Sequence, residues 1–225
     1  MRSAMSMIEL VFAIVIMGIV VMSLPLVLLQ TQRGNALALE QEVILATKTR
    51  LAFILSHEWD INSYDGDAST SRVLDTTASA NADNAFDTTT TRRAGHIEAD
   101  ERRRLRDDKL TPTLKSGADW NATTPMDIDD FDGKTSSVSV TAADMDYIYS
   151  ISLTSKIDYI GDALQSGAYA SSSSITFTFN PTSTQTNPTN IKMISVTSSG
   201  SDANVTLRAF ASNIGESGIL KRSSW

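Results

Sequence analysis

The chain has 225 residues, 41% of them hydrophobic, with a net charge of -7 and a pI near 4.8; that length holds one anchor segment and one domain of ordinary size, not two full domains. The acidic balance excludes a basic nucleic-acid-binding surface, so no nucleic acid is expected as a partner. The absence of cysteine excludes disulfides, thiolate catalysis and cysteine-ligated zinc together.

Residues 1–4 form a short polar leader with one basic residue, Arg2. From Met5 to Leu29 the chain is apolar apart from Ser6, Glu9 and Ser23, and Leu10 to Gln32 is a run of 23 residues without a charge. At about 1.5 Å per residue, a helix of that length spans a hydrocarbon core of about 30 Å, so the segment reads as a membrane helix. Glu9 lies just inside it, where an unpaired carboxylate costs on the order of 2.5 kcal/mol or more. A secretory signal peptide has a shorter apolar region, of about 7 to 15 residues, with a small-x-small cleavage site beyond it. An uncleaved signal anchor accommodates the length and leaves Glu9 unexplained. Arg2 ahead of the run keeps the first residues cytoplasmic and sends the remainder outward, into the periplasm of a cell with two membranes.

The order of these features is specific: a basic leader, the small residue Ala4, then Met5, Ser6, the apolar pair Met7 and Ile8, Glu9, and an apolar run containing Gly18 and Pro25. This segment resembles the N-terminus of the type IV pilin superfamily, which includes the pseudopilins of type II secretion. Ala4 and Met5 stand where the family usually has Gly and Phe. The resemblance implies that a prepilin peptidase cuts after Ala4 and methylates the new amine of Met5. It implies too that Glu9 pairs with the Met5 amine of a neighbouring pilin or pseudopilin subunit as the helices enter a filament. The protein would begin as a single-pass inner-membrane protein with a periplasmic C-terminal domain and pass into a pilus or pseudopilus. Its acidic, Ser/Thr-rich domain favours a minor subunit over a major one.

Past Pro25 the helix is expected to continue as an amphipathic segment over 30–58, because proline inside a membrane helix kinks it more often than it ends it. Leu37, Ile44, Leu51 and Leu55, spaced by seven, seven and four, share one face. That stripe suits packing on the chain's own domain and packing on neighbouring subunits. The helix should end between Ser56 and Asp60, with His57 a helix-end cation near the negative end of the dipole. Residues 60–91, rich in Asp, Asn, Ser and Thr, read as a long loop. Over 92–109, seven basic residues interleave with five acidic ones, which reads as an ion-paired solvated face or as a contact for anionic headgroups or an acidic neighbour.

Asp127-Ile128-Asp129-Asp130-Phe131-Asp132-Gly133 is the most chemically suggestive motif. Carboxylates this dense repel unless a cation, backbone donors or water separate them, so Asp127, Asp129, Asp130 and Asp132 are candidate calcium ligands. Neither EF-hand frame fits, since the fifth position is Phe131 counted from Asp127 and Lys134 counted from Asp130; the other reading is a polar Asx-type turn with no cofactor. The run also looks like those of minor pilins of the mannose-sensitive haemagglutinin group.

From Thr135 the pattern takes a period of two. Half-buried strands are expected around Tyr147 to Thr154, Ile175 to Phe179, Ile191 to Thr197 and Val205 to Phe210. Asp119-Trp120-Asn121-Ala122-Thr123 and Asp202-Ala203-Asn204-Val205-Thr206 look like the acid-extended acceptor of some bacterial N-glycosylation systems, with Asn121 and Asn204 as the attachment residues; chance accounts for both in so polar a chain. No catalytic constellation is present: His57 and His96 lie in different regions, and no serine has a nucleophile's context. The expected fold is α+β, a long N-terminal helix with a membrane-spanning first half packed on an antiparallel β-sheet. Its segments are 1–4, 5–29, 30–58 and 59–225. The expected function is that of a structural filament subunit, not an enzyme; the alternative is a signal-anchored periplasmic binding domain or enzyme that joins no filament.

Overall fold

A computed structural model describes residues 7–65, 70–71, 73–76, 86–87, 92–93, 110–114, 125–140, 149–167, 172–200 and 204–214. Helix α1 runs over Met7–Leu55 and is continuous through Pro25. The two hydroxyls in its apolar stretch bond to their own helix: Ser23 donates to the Val20 carbonyl (3.1 Å) and Thr31 to the Val27 carbonyl (2.9 Å). Neither therefore needs water.

The chain divides into two compact units, Met1–Leu45 and Ala46–Trp225. In the first, apolar side chains stand out around the whole circumference of the helix: Leu10, Phe12, Ile14, Ile19 and Leu26 are all at least half exposed. A helix apolar on every side suits hydrocarbon rather than water. Among the described residues it is the one helix long and apolar enough to cross a membrane, which fits single-pass anchoring.

The end of α1, from Ala46, belongs to the second unit. Val43, Thr47 and Ile54 are fully buried and Arg50 is half-buried, positions that share one face. The expected stripe was different. Leu37, Ile44 and Leu55 are 56%, 40% and 41% exposed and lie about a quarter-turn away at about 100° per residue. The buried face escapes a hydrophobic count because half of it is polar. Arg50 satisfies itself there, with Nε donating to the Ser155 hydroxyl (3.4 Å) and its guanidinium 5.0 Å from the Phe131 ring centroid.

Five antiparallel strands form the sheet, in the order β5 (Thr135–Val140), β6 (Tyr149–Ile160), β8 (Ile191–Ser199), β9 (Thr206–Ser212), with β7 (Thr184–Gln185) paired to the end of β6. The register aligns rows on the core face: Tyr159–Lys192–Ala211, then Ile157–Ile194–Ala209, then Ser155–Val196–Leu207. Ile151, Leu153, Ile157, Ile194 and Val196 from that face are buried, as are Ile128, Phe131, Trp59 and Leu74 from outside the sheet. The long helix and antiparallel sheet are the expected α+β class. Two strands begin and end close to the expected bounds, and β6 runs on to Ile160. The expected loop contains a 3-10 turn (Ile61–Ser63) and two small hairpins, β1 (Tyr64–Asp65) with β2 (Thr70–Ser71) and β3 (Phe86–Asp87) with β4 (Arg92–Arg93), the second closing just beyond it.

One expected strand does not form. Ile175 to Phe179 makes a single bridge, Ser166 with Thr176, and Ile175, Phe177 and Phe179 are each about two-fifths exposed. Among the described residues the segment adds to neither outer strand of the sheet, β5 or β9, so its alternation yields apolar side chains but no ladder. Gly167 closes the turn into this bridge at φ 88°, where an added Cβ would meet the Ser174 carbonyl oxygen at 2.6 Å. Phe179 packs edge-on against Phe210 of β9, with ring centroids 5.1 Å apart.

Candidate functional site

Of the residues expected to govern processing and assembly, Ala4 and Met5 lie outside the described residues. Glu9 sits in the first turn of α1, exposed between Ile8 and Leu10, which are 65% and 50% exposed. No ion partner for it is seen among the described residues.

Among the described residues, a cluster of buried charge lies inside the second unit around Lys192, which no sequence motif marks. Strand parity places Lys192 on the core face with Ile194 and Val196, and across from it stands Tyr159. Lys192 and Asp60 are fully buried and Asp129 nearly so. The Lys192 ammonium donates to Asp129 Oδ2 (2.8 Å) and to the Trp59 carbonyl, and stands 3.7 Å from Asp60 Oδ2. It also lies 4.1 Å from the Trp59 ring centroid and 5.5 Å from that of Tyr159.

Each acid is fixed by its own backbone. Asp60 caps the 3-10 turn Ile61–Ser63: Oδ1 accepts from the Asn62 N–H (2.9 Å), and Oδ2 accepts from the Thr113 N–H (2.9 Å) and hydroxyl (3.0 Å). Asp129 opens the 3-10 turn Asp129–Phe131, and its Oδ2 also accepts from the Tyr159 hydroxyl (2.9 Å). The same hydroxyl lies 3.1 Å from the Thr113 carbonyl. Asp129 Oδ1 is buried with no hydrogen-bond partner among the described residues. Burial pushes the Asp129 carboxyl up, against the pull of Lys192, and pushes the Tyr159 hydroxyl up with the Asp129 charge adding to it. Asp127 is pushed up to about 6, chiefly by burial, with Lys192 opposing and the Asp129 and Asp60 charges adding to the rise.

The Asp127–Gly133 run behaves as a polar turn. Asp127 Oδ1 accepts from the Asp130 N–H (3.2 Å) and Oδ2 from the Ile61 N–H (2.8 Å); Asp130 Oδ2 accepts from the Met126 N–H (2.7 Å) and Asp132 Oδ1 from the Ile157 N–H (2.9 Å). Backbone donors and Lys192 thus separate the carboxylates. Among the described residues no three acidic or histidine groups come together to hold a metal ion. Gly133 turns the chain at φ 70° and returns its N–H to the Ser155 carbonyl (2.9 Å).

The remaining candidates stand apart. His57 Nδ1 is 2.9 Å from the Phe53 carbonyl, and the ring packs edge-on against Phe53 and Phe131. Asn204 is exposed two residues before β9, while Asn121 and its neighbours, and nearly all of 92–109, fall outside the described residues. A cleft of about 240 Å³ opens between Asp75, Thr76, Thr111, Pro112, Leu114 and the Asn187-Pro188 turn, a size at the low end for a small-molecule site. No family model, curated protein or solved structure matches this chain.

Proposed function

We propose that this protein is a structural filament subunit, a minor pilin or pseudopilin, held in the inner membrane by the first half of α1 and assembled by packing of that helix on its counterparts. One observation carries the reading. A continuous helix, apolar around its whole circumference for its first several turns and bearing a single carboxylate at its start, runs into a β-sheet domain on the same chain. In this reading prepilin peptidase cuts after Ala4 and methylates Met5. The Glu9 carboxylate accepts the charge of the adjacent subunit's amine in a medium where an unpaired charge is strongly disfavoured. Bare helix flanks then bury against one another. The exposed stripe of Leu37, Ile44 and Leu55 is free to serve the same lateral contact, because within the second unit Thr47 and Ile54 are buried on another face of the helix.

The test is the mass of the N-terminal peptide of protein purified from native membranes. A chain beginning at Met5 with one extra methyl on its amine supports the reading. A chain still beginning at Met1 sinks it in favour of a plain signal anchor.

A further inference from the structure

The filament reading leaves the buried cluster unused, and its chemistry is unusual for a purely structural ion pair. An amine and a carboxyl group are in contact, with Lys192 Nζ 2.8 Å from Asp129 Oδ2, both groups almost wholly removed from solvent. A second carboxylate, Asp60, stands 3.7 Å from the same nitrogen. The rings of Trp59 and Tyr159 wall the site. Amines and carboxylic acids condense poorly in water, because both are ionised and hydrated and the released water is in vast excess. Inside a dry pocket these obstacles are reversed: separated charges are disfavoured, and the reactants are held in permanent contact.

We propose that Lys192 and Asp129 are a self-modification site, at which the folded chain joins its own side chains through an isopeptide bond between Lys192 Nζ and Asp129 Cγ. Proton transfer within the pair gives a neutral amine and a neutral acid, and a flip of the Asp129 carboxyl carries the protonated oxygen to the Oδ1 position, bringing the other oxygen under Tyr159. The amine nitrogen then attacks Asp129 Cγ, forming the C–N bond. Tyr159 donates to Oδ2 and steadies the negative charge that develops on it. Asp60 takes a second proton from Nζ and passes it to the departing hydroxyl. That hydroxyl is Oδ1, the oxygen that no donor holds. The C–O bond breaks, one water leaves, and the nitrogen keeps one hydrogen. The balance needs no oxidant or co-reactant.

The product resolves what the unlinked pair leaves open. The amide N–H keeps the Trp59 carbonyl as its acceptor, the amide oxygen keeps Tyr159, and the buried oxygen without a partner is gone. Two buried charges disappear, and Asp60 keeps its three hydrogen-bond donors. The bond ties the 3-10 turn at Asp129–Phe131 to β8 in a chain that has no cysteine with which to staple an exported domain otherwise.

The experiment is peptide mapping by mass spectrometry of the full-length protein, purified in detergent from membranes and digested with trypsin. Trypsin cannot cut after an acylated lysine. The expected product is a branched peptide joining residues 116–134 to residues 157–208, uncut at Lys192 and lighter by one water than the sum of its parts. A succinimide at Asp132-Gly133 also removes one water but leaves the peptides linear and Lys192 cleavable, so the branch and not the intact mass decides. Linear peptides ending at Lys192, from protein that resists trypsin before denaturation, overturn the proposal. Lys192→Arg and Asp129→Ala must each abolish the branch. Asp60→Asn should lower its yield severalfold in protein that folds; a yield equal to the unaltered chain's removes Asp60 as the proton relay.

Discussion

Glu9 and Lys192 each set a charge among apolar side chains, and the two units of the chain treat it in opposite ways. Around Lys192 the fold gathers a carboxylate at 2.8 Å, a second at 3.7 Å, a backbone carbonyl and an aromatic face, drawn from segments more than 130 residues apart. Around Glu9 the described structure offers exposed methionine, isoleucine and leucine. A buried charge is tolerable when its partners are supplied and strongly destabilising when they are not. Among the described residues, the second unit supplies the partners of its buried charge, whereas the first presents an exposed charge and an apolar surface. The proposal of assembly through α1 starts from that difference.

The contrast can be broken most sharply at Lys192. Lys192→Met keeps the volume roughly constant but leaves Asp129 and Asp60 facing each other without the lysine nitrogen, either as cation or as cross-link, and should destabilise the second unit by about 3–5 kcal/mol in urea unfolding of the full chain in detergent. An effect below about 1 kcal/mol would mean that the cluster is not the centre of that unit. Ile54→Ala removes a fully buried side chain from the helix face that the second unit covers and should cost about 2–5 kcal/mol in the same assay.

Asp127 makes the comparison depend on pH. Its folded pKa lies near 6, above the ordinary 3.8, so the folded state holds the proton more tightly than the unfolded chain. Its stabilising contribution is full below pH about 4 and is lost as pH rises through about 6, a swing of roughly 3 kcal/mol at 1.36 kcal/mol per unit. Unfolding measured at pH 4 and pH 7 should show a steeper loss in the unaltered chain than in Asp127→Asn, and identical slopes would contradict this assignment.

Two substitutions in the exposed regions should leave the stability of the second unit within about 0.5 kcal/mol. Glu9→Gln removes the charge without changing shape; membrane insertion should be spared and recovery in sheared filaments reduced. Normal incorporation would exclude pairing at Glu9. Ile44→Ser, on the exposed stripe a quarter-turn from Ile54, should likewise act on assembly and not on folding. Loss of folding there would place that stripe in the intramolecular core.

Much of the architecture is legible from local pattern. An uncharged run of 23 residues predicts a helix of membrane length, and alternation over Ile191 to Thr197 and Val205 to Phe210 predicts strands that form nearly where expected. In the Asp-rich run, the carboxylates of Asp127, Asp130 and Asp132 each accept from backbone N–H groups, an arrangement compatible with the polar-turn reading. The same rules misplace the buried helix face, because Thr47 and Arg50 occupy it, and they predict a ladder at Ile175 to Phe179, where only a single bridge forms and the apolar side chains stay about two-fifths exposed. The cluster at Lys192 carried one visible signal, a lysine in phase with Ile194 and Val196, but nothing nearby in sequence named its partners.

The sequence by itself determined the properties that depend on neighbours along the chain: a long apolar helix with one acid at its start, a domain without disulfides, and the two-residue rhythm of the sheet. Only the tertiary structure decided which face of α1 is buried and which carboxylates surround Lys192. Hydrophobic periodicity is a local property, set by the geometry of one helix or strand. Charge compensation in a dry interior is not local: Asp60, Asp129 and Lys192 meet because the register of β6 with β8 and two short 3-10 turns bring them to the same few ångströms.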